Sequence, residues 1–301
     1  MTETALLFLH ALTGLHPGSG TALGVVDLPV QRERHTGWPT IPGTSLKGVI
    51  RAEALGREED TKNPSEKFLA VFGPDTKNAA EHAGAVAFTD ARILAFPVRS
   101  LKGVFAWVTC PAVLDRLSRD QELAGGPPLE VPKVTGEKAL ICAGSPLVIT
   151  EGNRQGLVLE EFDFNTVAGA AASANWIAER AVADDATKTR IKSRLAVISD
   201  DAFGHFVQHA TEVTARIALN YETKTVRDGA LFYEEFLPPE TLFYCLLIAQ
   251  PARRKGVVLD AAAVLSWIAE LKMETIQIGG GETIGKGFCA VRLDRAAGGR
   301  P

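Results

Sequence analysis

The chain has 301 residues, 46% hydrophobic and 23% charged, which excludes a disordered chain and allows one elaborated domain or two small ones. Its 32 Lys and Arg stand against 36 Asp and Glu, a formal net charge of −4; bulk charge excludes a generally basic nucleic-acid binder but not a local basic groove, because phosphate contacts need clustered cations rather than a positive total. The four cysteines (Cys110, Cys142, Cys245, Cys289) form no CxxC pair, no apolar run reaches the length of a membrane span and the N-terminus lacks a charged n-region, so a zinc site, a disulfide framework and a membrane association are not expected and the chain reads as reduced and cytoplasmic.

Residues 4–12 read as a strand, and 14–43, rich in Gly and Pro, as a long loop. A helix starts near Thr44 and runs to Leu55. Residues 57–82 are polar with weak periodicity, and strands follow at 84–95, 104–109, 139–149 and 156–164. Pro111 opens a helix, as Pro at the first helical position often does. Residues 173–183 and 201–211 are helical. Residues 213–222 and 230–237 read as a hairpin turning at Arg227-Asp228-Gly229, followed by a strand at 241–249. Asp260 caps a helix through Leu271, and the end is strand (275–278), glycine loop, strand, with a fraying tail at 296–301. The mixture is α+β without a regular βαβ rhythm. Unstructured segments beyond about 15 residues are usually functional or disordered, which singles out 14–43.

Four clusters have residues suited to chemistry. The first runs from His16-Pro17-Gly18-Ser19-Gly20 to Asp27-Leu28-Pro29-Val30-Gln31-Arg32-Glu33-Arg34; its glycines let the backbone approach a ligand, while Asp27 taken alone suits a turn cap and His16 a packing residue. The second is Gly43-Thr44-Ser45-Leu46-Lys47-Gly48-Val49-Ile50-Arg51. A Ser/Thr-capped helix end attracts phosphate, and Lys47 and Arg51 share a face; a capped surface helix with two solvated cations reads equally well. The third, Gly279-Gly280-Gly281-Glu282-Thr283-Ile284-Gly285-Lys286-Gly287, mimics a P-loop but lacks the Ser or Thr after Lys286 and leads into a strand. It is either a flexible turn or a hairpin bringing amides and Lys286 to a polyanion. The fourth is the hairpin 213–237, with cations Arg216, Lys224 and Arg227, aromatics Tyr221, Phe232, Tyr233 and Phe236 that either stack on bases or fill a core, and carboxylates Glu234 and Glu235 at its end.

Taken together, HALTGLHPGSGTALGVVDLPVQRERHTGWPTIPGTSLKGVIRAEAL, LFYEEFLPPET and GGGETIGKGF closely resemble the RAMP superfamily of CRISPR effector proteins, and within it the repeated backbone subunit of the type III-B (Cmr) complex. The resemblance covers most of the chain, with 57–82 and 165–210 carrying little of it. It implies a single elaborated domain over 1–301: a modified ferredoxin-like (RRM-like) palm with inserted helices and a protruding β-hairpin thumb, placed near 213–237. It also implies copies stacked in a filament along one guide (CRISPR) RNA, other Cmr subunits as partners, and complementary target RNA cut at regular intervals in a Mg- or Mn-dependent way. The family's acidic cleavage residue matches Asp27, the expected metal ligand, with His16 and Glu234 as candidates for proton transfer or orientation. Guide contacts fall to Ser45, Lys47, Arg51 and the glycine loop (Gly280, Gly281, Lys286), with Arg216, Lys224 and Arg227 of the hairpin as further RNA-binding cations.

Three other readings compete. A non-cleaving guide-binding scaffold would not need Asp27. A guide-processing endonuclease of the same superfamily would rest on histidine chemistry. A metabolic nucleotide-binding enzyme is disfavoured by the broken P-loop and the missing GxGxxG.

Overall fold

The computed structural model describes residues 1–22, 24–78 and 80–295; the expected fraying at 296–301 lies outside them. In chain order the regular elements are β1 (Glu3–Ala11), β2 (Thr40–Ile41), α1 (Gly43–Leu55), α2 (Glu66–Phe72), β3 (Val86–Phe88), β4 (Ala91–Arg99), β5 (Phe105–Thr109) and α3 (Pro111–Leu123). Then come β6 (Lys138–Ile141), β7 (Ile149–Glu151), β8 (Arg154–Leu159), β9 (Phe162–Ala168), α4 (Ala171–Ala181), α5 (Asp185–Arg194), β10 (Leu195–Val197) and α6 (Asp200–His209). The last are β11 (Glu212–Arg216), β12 (Phe232–Phe236), β13 (Leu242–Ala249), α7 (Ala261–Glu270), β14 (Thr275–Gln277) and β15 (Phe288–Asp294).

The centre is a β-α-β-β-α-β unit made of β1, α1, β4, β13, α7 and β15. Its four strands are antiparallel neighbours in the order β15-β1-β13-β4. β1 and β13 pair along almost their whole length, from Glu3↔Ala249 to His10↔Leu242. Seven of the nine β1 residues are buried in succession, because α3, α4 and α7 pack against the strand; a strand covered on both faces is continuously apolar instead of alternating. Beyond β4 the same mixed sheet continues through β5, β10, β6, β9, β8 and β7, with β5/β10 and β6/β9 parallel. The hairpin β11–β12 forms a separate two-stranded sheet.

Several expectations are corrected. The strand expected over 84–95 is two, β3 and β4, because the chain turns at Thr89-Asp90. There the Asp90 carboxylate accepts from the Gly43 N–H (2.7 Å). The helix cap expected from Ser or Thr is therefore supplied from another segment; Pro42 sits at the cap position and gives no side-chain bond. The strand over 139–149 stops at Ile141, and 156–164 is the turn region of the hairpin β8–β9, which reverses at Glu160 in a left-handed conformation (φ 47°). Helix α5 was not expected; Asp184 caps it by accepting from Thr187 N–H. The 213–237 hairpin is present, but its tip is not Arg227-Asp228-Gly229. It closes near Asn220, whose side chain accepts from Glu222 N–H, and is bridged at Leu219↔Val226; this is the local turn an Asn favours. Gly229 (φ 70°) bends the returning limb instead.

One ion pair, with its carboxylate buried, ties α3 to the central strands. Asp120 accepts from Arg92 Nη1 (2.6 Å) and the Tyr244 hydroxyl (3.2 Å), and burial, with the Asp120 charge beside it, pushes the Tyr244 hydroxyl well above the ordinary tyrosine value. Asp120→Ala would strand the Arg92 cation. Arg92 is partly exposed, so the expected loss is about 2–3 kcal/mol, below that of a fully buried pair, to be read in a urea melt.

Candidate nucleic-acid interface

The long segment after β1 is not free coil. It lies across the end of the sheet through isolated backbone bridges: Leu15 with Leu237, His16 with Gly279, Gly18 with Val30 and Leu28 with Glu234. Its Gly and Pro residues break regular pairing, and its polar backbone groups find partners at the hairpin base and the glycine loop. Three sequence clusters thereby meet.

His16 is where they join. Its ring is only 7% exposed as a residue. Nδ1 donates to the Glu235 carbonyl (2.6 Å), which leaves Nε2 facing Glu234 Oε1 at 3.9 Å. The ring packs on Phe236 (5.6 Å between centroids), and the His16 carbonyl accepts from Gly280 N–H (3.0 Å). Asp27 lies further along, half-buried. Its Oδ2 accepts from Tyr233 N–H (2.7 Å), and the backbone exchanges Leu28 N–H to Tyr233 O and Glu235 N–H to Leu28 O. Asp27 thus rides on β12 in fixed register, while its neighbour Val25 is 91% exposed. The carboxylate does not cap a local turn: Oδ2 accepts from the distant strand β12, and among the described residues Oδ1 has no hydrogen bond.

Glu234 and Glu235 point to opposite faces of β12 and are both buried. Glu234 pairs with Arg216 (3.0 Å to Nε, 2.9 Å to Nη2). Glu235 accepts from Arg32 Nη2 (2.6 Å) and Val30 N–H (2.9 Å). Arg32 also donates from Nη1 to the carbonyls of Gly37 and Val207 (2.9 Å each). No local pattern in the DLPVQRE run marks Arg32 for a role; only the fold brings Glu235 to it.

The glycine loop closes the other side. Gly279, Gly281, Gly285 and Gly287 all have φ near 80°. A Cβ on Gly279 would lie 2.1 Å from the His16 carbonyl oxygen, and one on Gly287 2.1 Å from that of Ile278. Lys286 lays its ammonium over the Phe236 ring (4.7 Å), and Arg216 approaches the same ring (5.7 Å). Ser45 is exposed. Lys47 and Arg51, by contrast, turn their tips inward: Lys47 donates to Val86 O (3.1 Å), and Arg51 donates to Gly73 O (2.8 Å) and covers Phe68 (4.9 Å). Burial, joined by the mutual repulsion with Arg51, lowers the Lys47 ammonium below its usual pKa. Neither is a freely solvated cation. Lys224 and Arg227 are exposed on the hairpin, Lys224 over Tyr221 (5.7 Å). Toward the tip the hairpin's apolar residues are exposed as well, Tyr221 at 81%, whereas Phe236 at its base is buried.

Among the described residues no group of three His, Cys, Asp or Glu side chains converges to hold a metal ion. Such a lining fits at most a hard ion that needs a single protein carboxylate and takes its other oxygens elsewhere. All four cysteines are buried and free; burial pushes Cys245 and Cys289 up to about 12. Among the described residues no helix is long and apolar enough to cross a membrane.

An α+β fold of this order, with a glycine loop clasped against the segment after the first strand, defines a class. The chain belongs to the RAMP superfamily, whose family model matches residues 8–290. Over its whole length it is similar to the CRISPR system Cmr endoribonuclease Cmr4 of Pyrococcus furiosus, at 44% identity over 96% of this chain and 95% of that protein. It is also similar to the CMR subunit Cmr4 of Saccharolobus solfataricus, at 26% identity over 95% and 94%. The crystal structure of oligomeric Cmr4 from Pyrococcus furiosus superposes with a TM-score of 0.73 at 35% identity, covering 98% of this chain and 99% of that one. A chain in a type III-B Cmr-beta complex bound to cognate target RNA shares the fold (TM-score 0.74, 22% identity, 96% of each chain).

Gly287→Ala should lower stability by about 2 kcal/mol or more, from the left-handed backbone and the carbonyl clash together, read as a drop in Tm.

Proposed function

We propose that the chain is the endoribonuclease of a type III-B CRISPR ribonucleoprotein: a repeated backbone subunit that binds guide RNA and cuts complementary target RNA at regular intervals. The observation that carries it is Asp27, held on β12 with one carboxylate oxygen open, at the foot of an exposed hairpin. The β-α-β-β-α-β unit is then a modified ferredoxin-like palm and 212–236 the thumb, within one elaborated domain of a cytoplasmic protein. Its partners are the guide RNA, the target, further copies of this chain and other Cmr subunits.

An A-form duplex resists the in-line geometry that strand cleavage by the adjacent 2′-hydroxyl requires. Side chains of the hairpin, Tyr221 and Phe232 among them, are exposed and suited to wedge the duplex open and stack on unpaired bases. The freed backbone then falls by Asp27. The 2′-oxygen bonds to phosphorus as the bond to the 5′-oxygen breaks, leaving a 2′,3′-cyclic phosphate and a 5′-hydroxyl; the protons exchange with water. Asp27 is the residue to hold Mg or Mn, which would neutralise charge at the phosphorus, with RNA oxygens and water completing its shell. His16 and Glu234 are too enclosed to meet the RNA directly and are assigned to orientation.

Guide binding falls to Lys286 and the glycine loop with Ser45, through phosphate and ribose and so without regard to sequence. Lys47 and Arg51, tied to backbone carbonyls, act by fixing α1.

Asp27→Asn keeps the acceptor for Tyr233 N–H and removes the charge. In a reconstituted complex with Mg or Mn, the regular cleavage ladder of the wild type should vanish while guide and target stay bound; a ladder that survives moves the active site elsewhere, and none in either protein makes the chain a non-cleaving scaffold. Lys286→Ala should weaken guide binding evenly across spacer sequences and reduce the salt slope by about 1, measured by filter binding over a salt series.

A further inference from the structure

Arg32 joins three parts of the molecule. Its Nη2 donates to Glu235 on the thumb's descending strand β12. Its Nη1 reaches Gly37 O within its own loop and Val207 O in the last turn of α6, the helix that leads directly into the thumb's ascending strand β11. The last carbonyls of a helix lack partners within it, and an Arg is a good donor to them. Glu235 spends its other oxygen on Val30 N–H, three residues from Asp27. The same segment is pinned at its far end: Arg116 of α3 donates from Nη1 to both Glu33 carboxylate oxygens (2.9 and 3.0 Å) and covers Trp38 (4.9 Å), which in turn packs on Phe203 of α6 (5.2 Å). Among the described residues neither Arg32 nor Glu235 hydrogen-bonds the Asp27 carboxylate.

We propose that Arg32 and Glu235 are positioning residues for target cleavage: together they lock the Asp27 loop in register with both limbs of the thumb, so that the carboxylate sits correctly when the thumb enters the duplex. The inference rests on the proposed role of Asp27. Supporting groups of this kind typically change activity by about 10–100-fold when removed, because a displacement near 1 Å is enough. A Lys at 32 keeps the charge facing Glu235 but cannot fork to Gly37, Val207 and Glu235 at once.

The test uses the assembled complex with Asp27→Asn as reference. Single-turnover cleavage at saturating target is measured beside target affinity, guide retention and Tm for Arg32→Lys, Glu235→Gln and Arg32→Gln/Glu235→Gln. The expected result is a rate lower by about 10–100-fold in each single variant, with guide and target still bound and the cut sites unmoved. The double variant should be no slower than the worse single one, as for two residues acting as a unit. Wild-type rates in Arg32→Lys, additive losses in the double variant, or rate and guide retention falling in step would each overturn the inference. If Asp27→Asn itself still cuts, the failure lies in the functional reading, and the two failures are told apart.

Discussion

Two consecutive carboxylates on one short strand, Glu234 and Glu235, are both buried, and this sets the architecture around them. Side chains in sequence on a strand face opposite ways, so one cation cannot serve both. An unpaired buried carboxylate costs several kcal/mol, and each face must supply its own partner. Arg216 comes from the neighbouring strand of the hairpin on one side, and Arg32 from the segment after β1 on the other. The hairpin base is therefore clamped from both faces, and the clamp on the second face is the Asp27 segment itself. A loop of Gly and Pro that would otherwise be mobile acquires a defined course because a strand beneath it holds a charge that needs neutralising.

The glycine loop depends on the same junction. Gly280 donates to the His16 carbonyl and Gly287 to that of Gly14, and the backbones come so close that any side chain at 279 or 287 would collide with a carbonyl. His16 is held between that contact and its own bond to the Glu235 carbonyl. His16, through its Nδ1 and its own carbonyl together, thus links the segment carrying Asp27, the loop carrying Lys286 and the root of the hairpin.

Much of this was legible in the residues. Continuous apolar runs marked β1 and β13, Pro111 and Asp260 marked helix starts, and Arg216, Glu234 and Glu235 were all named. The closeness of three clusters far apart in sequence was not legible, since no local pattern encodes the bridge between His16 and Gly279. Where the sequence misled, long-range partners decided: Asp90 replaced Ser or Thr as the cap of α1, and carbonyls of Val86 and Gly73 drew in Lys47 and Arg51, which helical spacing alone presents as a solvent-facing pair. The Asp-Gly at 228–229 has the chemistry of a hairpin tip, but Asn220 supplied an equally good turn nearer the end.

The charge distribution bears on how such a subunit would hold RNA. Around the hairpin base Arg32, Arg116 and Arg216 are engaged in ion pairs with carboxylates, and on α1 Lys47 and Arg51 donate to carbonyls, which leaves Lys286 and the exposed Lys224 and Arg227 of the hairpin outside such pairs among the described residues. One copy with so few phosphate contacts would bind RNA weakly and with a shallow salt dependence. Joined copies along one strand convert each further contact into an intramolecular one, raising affinity without strengthening any single contact. On that reading, a net charge of −4 suits a repeated subunit: it disfavours nonspecific capture of RNA by single copies and reserves tight binding for the assembled array.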